Sequence, residues 1–190
     1  MKKQIVVLSI LFLFFTALNT ATAQCNSHSK AVKVGNTEMK ADNNIVANFV
    51  ESEDLTTLVA AVKAADLVGT LQGKGPFTVF APNNDAFENL PDGTVSTLLE
   101  PQNKSALTKI LTYHVVAGSY DAASIVQAIK KGNGKAVLTT VSGDQLTAMM
   151  NGERNVILMD EKGQYANVAI YDVPQSNGVV HIIDAVVLPN

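Results

Sequence analysis

The sequence has one cysteine, no tryptophan and no Lys/Arg-rich run, and these absences exclude several classes of protein. Cys25 alone cannot form an internal disulfide or a cysteine-cluster metal site. With 14 Lys and Arg against 17 Asp and Glu, the chain lacks the electrostatic footprint of a nucleic-acid-binding protein. The 190 residues, 47% of them hydrophobic, suffice for one domain with a sizeable core but not for two ordinary domains.

The first 23 residues have the pattern of a secretory signal peptide. Two lysines follow Met1, residues 5–15 are apolar except for one serine, and Ala21-Thr22-Ala23 has the form of a cleavage site. The apolar run ends at Asn19 and is too short for a transmembrane helix, so we expect none in the mature chain. Cleavage would leave 12 basic against 17 acidic side chains. We therefore expect a secreted or periplasmic protein whose acidic surface is repelled by anionic lipid and nucleic acid.

Residues 24–43 are polar and lack periodicity, which predicts a linker or arm. Cys25 would be the second residue of the mature chain and could form a disulfide-linked dimer in an oxidising compartment. Lipidation of this cysteine is the alternative, although that signal requires a small residue where Gln24 stands. Cys25 and His28 form only half of a metal site, so we expect no bound metal.

Helices precede a run of strands in the rest of the chain, which favours an α+β fold over a parallel sheet. One helix is predicted to begin at Ser52 and to bury residues 55, 58, 59 and 62. A second is predicted over 105–113, and a third from Asp121 to Gly132. The predicted strands are rich in β-branched and aromatic residues and separated by turn residues; they cover 77–80, 136–141, 145–150, 156–159, 166–171 and 179–188.

The histidines offer no recognisable catalytic arrangement. No G-x-S-x-G motif is present, and His181 and Asp184 are three apart in a predicted strand, so their side chains leave opposite faces. We interpret both as structural, with Asp184 bonded to local donors if it is buried. The alternative is an enzyme or small-ligand binder with a cleft containing His114 or His181, which would require an accessible histidine with a shifted pKa.

Three segments together resemble the fasciclin (FAS1) domain family. Residues 75–87 (GPFTVFAPNNDAF) are similar to its first sequence box, Tyr113-His114 to its central Tyr-His motif, and residues 177–189 (NGVVHIIDAVVLP) to its second box. Their order and spacing also match. The resemblance covers residues 44–190, which we assign as a single FAS1 domain.

The resemblance implies a wedge-shaped pair of β-sheets with several helices packed around it. Both boxes are then scaffold, with side chains expected to be buried, and Asn83 or Asn84 is expected to cap a short helix after Pro82. The structural residues carried over from the family motifs are Phe77, Thr78, Phe80, Pro82, Asn84, Asp85, Phe87, Asn177, Gly178, His181 and Asp184.

The resemblance also implies a function: a non-enzymatic extracellular domain that acts in adhesion and needs no cofactor. Family members contact protein, matrix or polysaccharide, and the Tyr-His region makes Tyr113 and His114 the candidate interaction residues. The alternative for Tyr113 is burial in the core with a bonded hydroxyl. The adhesion interpretation predicts that His114 and His181 are buried and hydrogen-bonded, and that an exposed surface patch makes the contacts.

Overall fold

The computed structural model of the chain describes residues 31–152 and 155–190. The predictions for the signal peptide, Cys25 and His28 lie outside the described residues.

The described residues contain seven α-helices, and three of them begin with a side-chain cap, from Asn44, Asn83 and Asp121. Asp121 caps α7 as predicted, because its Oδ1 accepts from the Ser124 N–H at 2.8 Å. Ser52 does not cap a helix through its side chain; it precedes a 3₁₀ turn over Glu53–Leu55, after which α2 begins. The helices are α1 (Ile45–Glu51), α2 (Thr56–Ala64), α3 (Val68–Leu71), α4 (Asn84–Glu88), α5 (Thr94–Leu98), α6 (Lys104–Tyr113) and α7 (Ala122–Lys131).

Nine strands are present in the described residues, and seven of them form one sheet of order β4-β3-β9-β8-β7-β6-β5. The pair β3 and β9 is parallel, and every other pair in this sheet is antiparallel. The strands are β1 (Val32–Val34), β2 (Thr37–Met39), β3 (Phe77–Pro82), β4 (Val115–Ala117), β5 (Lys135–Thr139), β6 (Gln145–Asn151), β7 (Asn155–Met159), β8 (Tyr165–Gln175) and β9 (Gly178–Ile183). The α+β fold class is confirmed.

The long strand β8 divides the seven-stranded sheet into two halves. Its pairing with β9 shifts register between Val168 and Ile170 and again before Val173, and Asp172 has a φ of 54°. Such irregularities bend a strand. The two ends of the sheet also meet, since the Val141 N–H donates to the Val115 carbonyl at 2.7 Å. The sheet is therefore folded back on itself into a wedge.

Each half of the wedge has its own apolar core. The first core lies between β3, β9 and helices α1, α2, α3 and α6, with Leu55 and Leu58 among its buried residues. The second lies between helix α7 and the inward face of β5–β8, where Ile125 and Ile129 contact a layer that includes Leu146 and Leu158. The opposite, outward face of β5–β8 belongs to neither core.

The polar arm predicted over 24–43 is wrong for its second half. Residues 32–39 form the β1–β2 hairpin, and the side chains of Val34 and Met39 are 1% and 0% exposed. Gly35 supplies the positive φ of 58° in the two-residue turn. Each strand contributes a single fully buried side chain, too few for a hydrophobic period to be visible in the sequence.

Candidate functional site

Tyr113 and His114 lie in the core, at the junction of α6 and β4. Their side chains are 0% and 3% exposed. The Tyr113 hydroxyl donates to the Gln145 carbonyl at 2.7 Å, and burial raises the pKa of this phenol to about 12. Tyr113 ends α6, and its ring packs in the second core, whereas Leu107 and Leu111 earlier in the helix belong to the first.

Both ring nitrogens of His114 have backbone partners. Nδ1 lies 2.8 Å from the Ile110 carbonyl, which only accepts, and Nε2 lies 3.3 Å from the Val187 N–H, which only donates. These partners assign a neutral imidazole protonated on Nδ1. Burial lowers the pKa of His114 to about 4, consistent with this neutral form. The ring thus fastens the C-terminal segment to α6.

The structure contradicts direct contact of a partner with Tyr113 or His114. Both side chains are enclosed, and the hydroxyl and the two ring nitrogens are bonded to backbone groups. The alternative stated for Tyr113, burial with a bonded hydroxyl, is the arrangement observed. The prediction of buried, hydrogen-bonded histidines is confirmed for His114.

His181 is also buried, and it is protonated on the opposite nitrogen. Its Nε2 lies 2.9 Å from the Tyr120 carbonyl, and its Nδ1 accepts from the Asp172 N–H at 3.3 Å. Desolvation lowers the pKa of this ring, and its face stacks on Phe80 at a centroid distance of 5.5 Å. As predicted, His181 is buried and hydrogen-bonded, and it does not contact Asp184.

A small apolar cavity adjoins His114, but it is too small for a substrate. Its volume is about 30 Å³, and side chains of the first core, among them Phe49, Leu58 and Leu111, line it. A space of this size holds about one or two water molecules. Among residues 31–152 and 155–190, no three His, Cys, Asp or Glu side chains are grouped as metal ligands.

The outward face of β5–β8 carries a contiguous group of apolar side chains. Strand register places Val137, Thr147, Met159 and Tyr165 in one row across the four strands. Lys135, Met149, Ile157 and Asn167 form the adjacent row. We call the five apolar members of these rows the sheet patch: Val137, Met149, Ile157, Met159 and Tyr165.

The sheet patch is accessible and nearly free of charge. Val137 and Tyr165 are 57% and 55% exposed, and none of the five side chains belongs to either core. Lys135 is the one charged residue in the described strands β5, β6 and β7, and the exposed Asp172 of β8 binds the Ala122 N–H of α7. The surrounding side chains are polar and include those of Thr139, Gln145, Asn151, Asn155 and Asn167. The exposed Glu161 carboxylate also lies at this rim, where it accepts from the Gln145 N–H at 3.2 Å. A cluster of apolar side chains with a polar rim is typical of an interaction surface.

This patch was not predicted from the sequence. Half-buried strands alternate apolar and polar residues, whereas Val156–Met159 is apolar throughout, as in a strand buried on both faces. This uninterrupted apolar run was the available signal. In a sheet with helices on one face only, the other face of such a strand exposes apolar side chains.

Comparison with known proteins gives the family. The family model for the fasciclin domain matches residues 53–189. This chain belongs to the fasciclin domain family. It is 43% identical to Protein sll1483 of Synechocystis sp. over 169 residues, which cover 89% of this chain and 86% of that protein. It is 38% identical to the immunogenic protein MPB70 of Mycobacterium bovis over 141 residues, covering 72% and 64%.

Two larger proteins contain a similar fasciclin domain. Human periostin is 32% identical over 149 residues, which are 76% of this chain but 16% of periostin. A solved FAS1 domain pair from the insect cell adhesion molecule fasciclin I superposes with a TM-score of 0.69 at 16% identity. That match covers 83% of this chain and 57% of the pair, and it shows the shared fold.

The two sequence boxes of the fasciclin domain lie side by side, because β3 and β9 are adjacent parallel strands. In the first box, the Thr78 hydroxyl donates to the Gly118 carbonyl and accepts from the Tyr120 N–H, both at 2.8 Å. In the second, the Asn177 side chain bonds three backbone groups of α1 and the α3–β3 segment at 2.8 to 3.1 Å. Both boxes therefore make scaffold contacts.

The box side chains were expected to be buried, but only some of them are. Thr78, Phe80, Pro82 and His181 are buried, Asp85 is exposed, and Phe77, Asn84, Phe87, Asn177, Gly178 and Asp184 are half-buried. The partly accessible polar residues fix neighbouring segments instead. The cap of α4 is Asn83, whose Oδ1 accepts from the Ala86 N–H at 2.9 Å. Asn84 binds the start of α2, where its Oδ1 accepts from the Thr57 N–H at 3.1 Å.

Asp184 lies past the end of β9 and binds Asn167 on β8. Its two carboxylate oxygens accept from the Asn167 backbone N–H at 2.7 Å and from its side-chain amide at 2.8 Å. This satisfies the expectation of local donors for the carboxylate.

No helix in the part of the chain that the structure describes is long and apolar enough to cross a membrane.

Proposed function

We propose that this fasciclin domain is a secreted, non-enzymatic adhesion domain that contacts extracellular protein, matrix or polysaccharide through the sheet patch. The observation that carries the proposal is the contiguous apolar surface of Val137, Met149, Ile157, Met159 and Tyr165. It lies on a rigid four-stranded support whose other face is packed against α7. Rigid exposed apolar surfaces lose little conformational entropy on binding.

Two further observations support adhesion over chemistry at a histidine. Each ring nitrogen of His114 and His181 is bonded to a backbone group, so neither ring has a free nitrogen for a substrate. One matching fold comes from a protein described as an insect cell adhesion molecule. The enzyme or small-ligand alternative would need His114 to reach a ligand through a cavity of about 30 Å³.

The proposal includes the processing and placement of the chain. Cleavage after Ala23 would release residues 24–190 to the periplasm or the cell exterior, with residues 44–190 as the FAS1 domain. Cys25 would lie near the new N-terminus and could link two copies through a disulfide. Two linked domains would present two sheet patches and bind a surface with increased avidity.

The test is adhesion of residues 24–190 to immobilised collagen, fibronectin and cellulose, and to whole bacterial cells. We expect saturable binding to at least one of these. In the double variant Val137→Ser/Tyr165→Ser, two half-exposed side chains each lose about 1 kcal/mol of burial on binding. The combined loss of about 2 kcal/mol corresponds to a roughly 30-fold weaker Kd.

Val50→Ser is the matched control. Val50 is 56% exposed, almost the same as Val137, but lies at the end of α1 and outside the sheet patch. It should bind like the unmodified chain. No binding to any immobilised surface, or an equal loss for Val50→Ser and the double variant, would contradict the proposal.

A further inference from the structure

A wide cleft in the described part of the protein is separate from the sheet patch. It has a volume of about 600 Å³ and is open to solvent. Its walls come from residues 72–76, from residues 175–178 in the β8–β9 turn, and from Asn44 and Ser119. Two of its residues, Asn177 and Gly178, belong to the second fasciclin box, where they were expected to be structural.

The walls of this cleft are held rigidly by their own side chains. Asn177 accepts from the Ile45 N–H at 3.1 Å and donates to the carbonyls of Leu71 and Gly73. Gln175 is bonded to the buried side chain of Asn48. Gly75 and Gly178 bring backbone segments so close that an added Cβ would lie 2.0 Å from a carbonyl oxygen of the facing segment. The cleft is therefore shaped before a ligand arrives.

Four polar side chains at the cleft remain available to a ligand. Gln72, Lys74, Ser119 and Ser176 are exposed, and their side chains make no hydrogen bond within the part of the chain that is described. They offer an amide, an ammonium group and two hydroxyls. A ligand can therefore bond to them without displacing a structural contact.

The charge and polarity of the lining residues indicate which class of ligand the cleft can bind. It contains no carboxylate, although acidic residues outnumber basic ones in the chain, and Lys74 is its single charge. It also contains no aromatic or aliphatic side chain other than the ring of Pro76, so an apolar peptide side chain or a lipid tail would find no pocket. Hydroxyl and amide donors with one cation match a polyhydroxylated ligand that carries a negative charge.

We propose that this cleft binds a short stretch of an acidic polysaccharide, with Lys74 pairing with a uronate carboxylate and Gln72, Ser119 and Ser176 bonding sugar hydroxyls. The cleft volume of about 600 Å³ lies within the usual range of ligand sites. The inference deepens the proposed function, because it rests on an extracellular binding role and names a ligand class for a second surface.

The test uses trigalacturonate and its neutral methyl ester as probes of residues 24–190, with binding followed by calorimetry and by amide NMR shifts. We expect trigalacturonate to bind, with shifts at residues 72–76 and 175–178, and the ester to bind at least tenfold more weakly. Lys74→Gln should weaken trigalacturonate binding at least tenfold and leave ester binding unchanged. Lys162→Gln, the same charge change at an exposed turn outside the cleft, should have no effect.

Ser119→Trp is a second variant, which fills the open cleft from an exposed position and should abolish binding of both probes. Equal binding of the two probes, shifts elsewhere, or no binding would overturn the inference. So would equal binding of triglutamate, which would indicate an acidic peptide instead. The Val137→Ser/Tyr165→Ser variant distinguishes a failure of this inference from a failure of the proposed adhesion function. It should lose adhesion to protein surfaces while still binding trigalacturonate.

Discussion

Acidification should destabilise the fold in a pH window set by His114. The unfolded ring has a pKa near 6.5, whereas burial lowers the pKa in the folded chain to about 4. Between these values the unfolded state binds a proton that the folded state does not, so the stability falls as the pH falls. The difference of about 2.5 pKa units corresponds to about 3 kcal/mol across the whole window.

The assay compares urea unfolding of the unmodified chain and of His114→Gln at several pH values from 7.5 to 4.5. At pH 7.5 the variant should be less stable by about 1–3 kcal/mol, because its amide does not reproduce both bonds to Ile110 and Val187. As the pH falls to 4.5, the stability of the variant relative to the unmodified chain should rise by about 2.5 kcal/mol, since only the unmodified chain carries the titrating ring at this position.

The comparison isolates His114 because His181 is present in both proteins. Burial also lowers the pKa of His181, which gives both profiles a slope of the same sign. Parallel profiles for the two proteins would refute the argument, because they would mean that residue 114 titrates alike in the folded and unfolded states.

Three substitutions test the scaffold. Tyr113→Phe removes the hydrogen bond of the buried Tyr113 hydroxyl to the Gln145 carbonyl and should lower the urea-derived stability by about 1–2 kcal/mol, so an unchanged midpoint would contradict the assigned bond. Asn177→Ala removes three hydrogen bonds to backbone groups and should cost about 2–4 kcal/mol; a loss below about 1 kcal/mol would show that these bonds are replaced by water. Val180→Pro should abolish cooperative thermal unfolding, because β9 lies between β3 and β8, and a normal melting curve would be incompatible with that central position.

Local sequence signals predicted three of the seven described helices (α2, α6 and α7) and six of the nine described strands (all but β1, β2 and β4). Asp121 and Gly132 bound α7 as capping chemistry requires, and the predicted strands after residue 135 all occur, with shifted ends. Short elements were not identified, because the β1–β2 hairpin and α3 each depend on one or two side chains buried by distant segments. Tertiary contacts decide whether such short helices and hairpins form, and these contacts cannot be recognised from local sequence patterns.

The candidate interaction surfaces could not be predicted from the sequence. The resemblance drew attention to Tyr113 and His114, yet helix periodicity already placed the residues before them in the core, and both side chains are enclosed. The sheet patch depends on register, since Val137 and Tyr165 are distant in sequence and share a row only through β6 and β7. The cleft likewise joins residues about one hundred positions apart.

The most direct test of the account compares two double variants of residues 24–190 on whichever immobilised surface the unmodified chain binds. One variant is Val137→Ser/Tyr165→Ser in the sheet patch, and the other is Tyr113→Phe/His114→Gln in the core. Both are checked for folding by circular dichroism at pH 7.5, and binding is referred to the folded fraction. The account predicts a roughly 30-fold weaker Kd for the first variant and an unchanged Kd for the second. Loss of binding by the folded core variant, with the patch variant unaffected, would contradict it.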